Sequence, residues 1–205
     1  MFSYRKFDVE VVRNLVIEWL RWPKPGEAAD ESGLGLNRLY MDLRWASWSA
    51  AKVTFAKESA LIARIEMSED PEQAYEDIED LAYEDEDLIS LDLGVASLVL
   101  ALSAAGCIPF SSCNAGIFGG HHAEHYPIVA FYARPATAKV LLTFATEWEI
   151  GFQTSEDGHL MVYSDDIRSL RRFAAKLIEQ REVLQSEKPA RKRRSRSEPE
   201  QSSLL

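Results

Sequence analysis

Three of the four histidines in the chain, His121, His122 and His125, fall within five residues, with Glu124 among them and Cys113 eight residues upstream of the first. Imidazole, carboxylate and thiolate are the ligands zinc takes in tetrahedral sites, so His121, Glu124 and His125 form a candidate metal set with zinc as the implied cofactor. His121 and His125 would share a face if the segment made one helical turn. The spacing lacks the second cysteine of a C-x-x-C clip and is not H-E-x-x-H, and Gly119-Gly120 favour irregular backbone over helix. A second chemistry is nucleophilic, with Cys113 as thiolate, His122 or His125 as base, and backbone N–H groups around Asn114 to Gly116 as an oxyanion or phosphate nest. It requires a cation or a helix N-terminus to lower the thiol pKa. The third reading is recognition without catalysis. Ser112, Asn114, Gly116, Gly119 and Gly120 then supply polar groups and permissive backbone to a ligand, or satisfy the loop's own polar groups.

These residues lie between Ser111 and Pro127, in a connection much longer than the two to five residues typical of a hairpin, and long ordered loops are disproportionately functional. The elements that must position it read clearly on either side. Asp92 is placed as the N-cap of a helix of Leu, Val and Ala that ends at Gly106, a natural left-handed stop, and its all-round apolar character makes it central. Residues 107–112 read as a strand with Ile108 and Phe110 on one face, where Pro109 calls for an edge position or a bulge. Residues 127–133, PIVAFYA, read as a fully buried strand. A helix then runs from Pro135 with Ala138, Leu141, Leu142, Ala145 and Trp148 on one face, closed by Gly151. Strands at 151–154 and 159–164 flank the turn signal Glu156-Asp157-Gly158. A last helix, starting near Asp165, turns Ile167, Leu170, Ala174, Leu177 and Ile178 inward and Arg168, Arg171, Arg172 and Lys176 largely outward.

Residues 88–184 therefore read α-β-β-α-β-β-α, an α+β domain with a mainly antiparallel sheet of about four strands covered by helices. Residues 1–87 read as a helical N-terminal region. Its first helix is expected from Asp8 to Trp22 on the stripe Val12, Leu15, Val16, Trp19 and Leu20, and a second helical region spans much of residues 36–67. The connection between them, residues 23–33, is rich in Pro, Gly and acids. An acidic surface helix over 69–87 is capped by Asp70 with Pro71 in its first turn. Residues 185–205 are expected to be a disordered basic tail.

Apolar residues make up 46% of the 205-residue chain and charged residues 27%, a globular composition. The net charge of −10 is unevenly spread. From Glu187 onward six bases face three acids, giving +3 and leaving −13 on the preceding 186 residues. Such a body repels a phosphate backbone, so nucleic acid is not expected as its partner, whereas the basic tail could bind it. The acidic helix at 69–87 is a candidate surface for another protein. No stretch approaches a membrane span or a secretory leader, so no membrane partner is expected. Cys107 and Cys113 would stand roughly 20 Å apart on extended chain, beyond disulfide reach, and reduced thiols fit a cytoplasmic protein.

Leu91-Asp92-x-Gly94-Val95, Leu102-x3-Gly106, Ser112-Cys113, the glycines at 116 and 119–120, a histidine among 121–125 and Pro127-x-Val129-x-Phe131 together carry a resemblance. The segment resembles a group of uncharacterised bacterial proteins in which a helix and a strand lead into a Ser-Cys pair, a glycine, a histidine and a Pro-led strand. That group implies no activity. Ser111-Ser112-Cys113-Asn114-Ala115-Gly116 is also similar to the Ser-Ser-Cys-Ser-Gly-Arg turn of the wybutosine-synthesising tRNA methyltransferase family. Ile117 stands where that family has Arg, so the similarity is one of turn shape. The function expected from the sequence is a cytoplasmic binding or protein-interaction module using loop 111–127. The alternative is an enzyme with a Cys/His or zinc-dependent site in the same loop.

Overall fold

The computed structural model describes residues 2–24, 43, 46–118 and 124–186. Five strands, β1 (Arg13–Asn14), β2 (Ile108–Cys113), β3 (Ile128–Tyr132), β4 (Gly151–Thr154) and β5 (Leu160–Tyr163), form one sheet in the order β1-β4-β5-β3-β2. Among the described residues six α-helices accompany it: α1 (Trp48–Met67), α2 (Pro71–Glu84), α3 (Ala96–Ala104), α4 (Pro135–Thr146), α5 (Ile167–Glu179) and α6 (Arg181–Ser186). The α+β class and the order of elements from α3 to α5 are as expected. The sheet, however, is mixed: β2, β3, β5 and β4 pair antiparallel, and a fifth strand, β1, adds to β4 in parallel.

That fifth strand is where the helix expected over residues 8–22 should have been. The segment runs extended instead, apart from a single 3-10 turn at Ile17–Trp19. Its backbone polar groups are taken up by the sheet edge: Phe152 N–H donates to Val12 C=O at 2.9 Å, Val16 N–H to Thr154 Oγ1 at 3.0 Å, and Arg21 N–H to Gly158 C=O at 2.9 Å. Val9, Val11, Val12, Val16 and Ile17 are β-branched and suit an extended chain. Pairing the otherwise open edge of β4 outweighs the helical spacing of the apolar residues. Trp19, assigned to the buried stripe of a helix, is 52% exposed.

The inward face of the sheet carries Val129, Phe131, Phe152, Leu160 and Val162, all within one core with α3 and α5. Phe131 and Phe152 meet edge to face at 6.3 Å. The other face holds Ile108, Phe110, Ala130 and Tyr132, then Cys113, Ile128 and Tyr163 toward the far end. Tyr163 lies flat over β4, so that a Cβ on Gly151 would come within 2.4 Å of its ring. Its hydroxyl reaches beyond β4 to the Glu10 carbonyl. Pro109 sits on the edge strand β2 beside a bulge at Phe110, where Pro109 pairs with Phe131 and Ser111 with Ala130.

Every residue of α3 is buried. The helix ends in a Schellman motif: Gly106 at φ 90° takes the left-handed position, its N–H donates to Ser103 C=O and Cys107 N–H donates to Leu102 C=O. Its start differs from expectation, because the N-cap is Val95, which offers no side-chain acceptor, and Asp92 lies three residues too early. The acceptor comes from α1. Glu58, fully buried, takes the Gly94 N–H on Oε1 at 2.8 Å and the Ser97 hydroxyl on Oε2. A carboxylate at a helix N-terminus also offsets the macrodipole. Burial nevertheless pushes the Glu58 pKa above the usual carboxylate range, against the pull of Ser97, Arg171 and the Gly94 amide.

Around this junction α1 packs on α3 and α5, and α2 packs on α1. Ser47 caps α1 and Asp70 caps α2, the latter with Pro71 in the first turn as expected. Helix α1 starts at Trp48; the earlier part of the expected 36–67 region, residues 36–42, lies outside the described residues. Helix α4 stops at Thr146, short of the predicted closure at Gly151, and Glu149 at φ 53° makes the turn into β4. Asp166 caps α5, its carboxylate accepting the Arg168 N–H. Helix α6 continues to Ser186, slightly past the expected start of disorder at 185, and residues 187–205 lie outside the described residues.

Glu58→Ala leaves two buried donors at the α3 start without an acceptor and is expected to cost about 3 kcal/mol, whereas Glu58→Gln keeps an acceptor for Gly94 and costs about 1 kcal/mol or less. Because the folded pKa of Glu58 is raised, its contribution to stability is present below the ordinary carboxylate pKa and is lost as pH rises through the higher folded value. Urea titrations of both variants at acidic and alkaline pH check the order and the slope. Glu58→Gln should remove that component of the pH dependence.

Candidate functional site

Strand β2 delivers Cys113 to the start of the long loop, and the chain turns at once. Asn114, 1% exposed, is the pivot. Its Nδ2 donates to Leu93 C=O at 3.0 Å, its Oδ1 accepts the Gly116 N–H at 2.9 Å, and its own N–H points to Asp92 Oδ2 at 3.3 Å. Ala115 and Gly116 both take the left-handed conformation, at φ 58° and 68°. The turn returns Ile117 and Phe118 to the core, where Phe118 stacks on Phe2 at 5.6 Å and on Tyr75 of α2 at 6.3 Å. The first root of the loop is therefore locked to α2, to the N-terminal segment and to the approach to α3.

The second root is Glu124 to Ile128. Glu124 and His125 are exposed. Tyr126 is half-buried against Tyr163, with ring centres 5.4 Å apart, and the buried Pro127 accepts the Ser164 N–H through its carbonyl. The two roots meet at sulfur. Cys113 Sγ accepts the Ala115 N–H at 3.3 Å and the Glu124 N–H from across the loop. The thiol thus closes the base of the loop.

This surrounding does not lower the thiol pKa. Burial pushes Cys113 up, and the carboxylates of Asp92 and Glu124 add to it, while the two amide donors pull the other way. The thiol form accordingly dominates at neutral pH. Cys107 and Cys113 are both buried, and no disulfide joins them.

Among the sequence-predicted residues, Cys113, Asn114 and Gly116 come together at the loop base with Glu124 beside them. Ser112 is half-buried on β2 opposite Val129, and His125 stands exposed at the second root. Gly119, Gly120, His121 and His122 lie outside the described residues. Among the described residues no group of three or more His, Cys, Asp or Glu is placed to hold a metal ion. The zinc set proposed from sequence draws on His121, outside them, with Glu124 and His125.

Asp92 and Phe118 are the residues that sequence reading assigned otherwise or passed over. Asp92 serves the loop turn instead of capping α3. Phe118 in a Gly-rich stretch, Ile-Phe-Gly-Gly, is the signal that one end of the loop returns to the core. The fourth histidine, His159, stands apart from the loop on the outer face of the sheet. It bonds Ser155 Oγ through Nδ1 at 2.9 Å, meets Phe110 and Tyr132 edge to face, and is held below its usual pKa by burial. Arg21 closes this cluster, its guanidinium over the Tyr132 ring and bonded to the hydroxyl at 3.2 Å.

Asn114→Ala deletes the pivot and leaves the Gly116 N–H and the Leu93 C=O unmatched, for an expected loss of about 2 kcal/mol in denaturant titration. Cys113→Ala is expected to be milder in stability, at about 1 kcal/mol. Its signature is local: amide hydrogen exchange should speed up at Ala115 and Glu124 and stay unchanged along β3 and β5.

No family model, curated protein or solved structure matches this chain.

Proposed function

We propose that the protein is a cytoplasmic binding module that recognises another protein through the loop of residues 111–127. The observation that carries this reading is the use of Cys113. Its sulfur is buried, accepts two amide hydrogens that close the loop base, and has its pKa raised, so it acts as a structural group. With both roots of the loop fastened and Glu124 and His125 exposed beside the closure, the described residues at the loop base form a surface already ordered for binding, which reduces the entropy lost on association.

Helix α2 adds a second surface. Glu72, Glu76, Asp77 and Glu84 are exposed along it, and Tyr75 ties it to the loop through Phe118. A partner touching both would carry basic groups. No helix of the described residues is long and apolar enough to cross a membrane, which fits a partner met in solution.

A photo-crosslinking amino acid at position 125, compared with the exposed Lys139 on α4, tests the reading in cells. A protein adduct of defined mass from position 125 and none from 139 is expected. Stoichiometric zinc in untagged protein, lost on replacing His122 and His125, overturns the proposal in favour of a metal site. A Cys113 alkylation profile with an apparent pKa below the free-thiol value of about 8.5 overturns it in favour of a nucleophile.

A further inference from the structure

Helix α1 has two apolar faces, and among the described residues only one is packed into the core. Ala51, Thr54, Glu58, Ile62 and Ile65 point into the core. On the opposite side, where a solvated helix carries its charges, stand Ser49, Val53, Ala56, Ala60, Ala63 and Met67. From Val53 to Met67 these recur at intervals of three, four, three and four residues, the spacing of a helix–helix seam. Val53 is 45% exposed and Met67 77%. The alanines between them let a second helix approach at the short end of the usual interaxial range, about 8 Å. The exposed charged residues of the helix are displaced to its flanks: Lys52 and Glu66 on one side, Lys57 and Arg64 on the other.

That charge arrangement selects the occupant. We infer that α1 pairs antiparallel with α1 of a second copy of this chain, across a two-fold axis passing near Ala60. Such an axis brings Lys52 opposite Glu66 of the partner subunit, and Glu66 opposite Lys52 of the partner subunit, two complementary contacts from one pair of residues. On the other flank it brings Arg64 toward Lys57 of the partner subunit. Lys57 is held between Asp85, at 2.6 Å, and Asp87, at 3.2 Å, so the approaching arginine meets a group of net negative charge. A basic or an acidic helix from another protein would satisfy one flank position and oppose another; the chain's own helix, reversed, satisfies both. The seam is short, which places the dimer among weak, concentration-dependent associations.

Sedimentation velocity on the full chain from about 1 to 500 μM tests the pairing by mass action. The expected result is a weight-average mass rising from 23.2 kDa towards twice that value, less steeply at high salt. Ala60→Glu sets like charges against each other at the axis and should weaken the dimer at least tenfold, with an unchanged thermal melt at concentrations where the chain is monomeric, because the position is exposed. Lys52→Glu and Glu66→Lys should each weaken it, and the two together should restore it. That restoration is specific to the pairing, since Glu66 also accepts the Tyr4 hydroxyl within its own chain. A chain that stays monomeric throughout overturns the inference. So does a dimer that Ala60→Glu leaves intact, or a charge-swapped pair that does not recover.

Discussion

A helix with every side chain buried cannot use water to satisfy its ends, and the fold is organised around how α3 meets that constraint. Its C-terminus is closed locally, by Gly106 and the Schellman bonds. Its N-terminus has no local solution, because Val95 stands at the cap, so the acceptor is a carboxylate imported from α1. Glu58 is thus both a core residue of α1 and the first contact of α3. Burying an ionisable group is costly, and the cost is met by donors that would themselves be stranded without it. The consequence is that α1, far away in sequence, is an integral part of the core that the sheet needs on its inward face.

The same economy of contacts shapes the loop. Asn114 and Cys113 lie next to each other and use polar atoms inward, toward Leu93, Gly116, Ala115 and Glu124. Asp92, freed from capping α3, faces the turn. The approach to the central helix and the base of the loop are therefore one hydrogen-bonded unit, and Phe118 extends it to α2 and to the N-terminal Phe2.

From Ala96 to Glu179 the sequence was readable because each element carries its own local signal. Gly106 stops α3, Pro109 marks an edge with a bulge, the Glu156-Asp157-Gly158 turn joins β4 to β5, and the amphipathic spacing of α5 places Leu170, Ala174 and Leu177 inward. What escaped were features decided by distant partners. Val12, Leu15, Val16 and Trp19 are spaced as in a helix, yet the open edge of β4 recruits that backbone as a strand. Asp92 has the chemistry of a cap, but Glu58 occupies that role from elsewhere in the chain. In the candidate site, the anomaly of the Cys-, Gly- and His-rich loop was visible at once. The division of labour within it was not, since only the fold shows that Cys113 Sγ faces two backbone amides and that the carboxylates of Asp92 and Glu124 both work against its ionisation.

The ends of the sheet have a bearing beyond the fold. On one side the terminal strand is two residues long. On the other, β2 interrupts its ladder with a proline and a bulge. Both are devices that spoil the template an exposed strand offers to another chain. A molecule so defended against growth by strand addition is biased away from fibrous, open-ended aggregation, and its contacts with other chains are left to side-chain surfaces, where they can be specific and reversible.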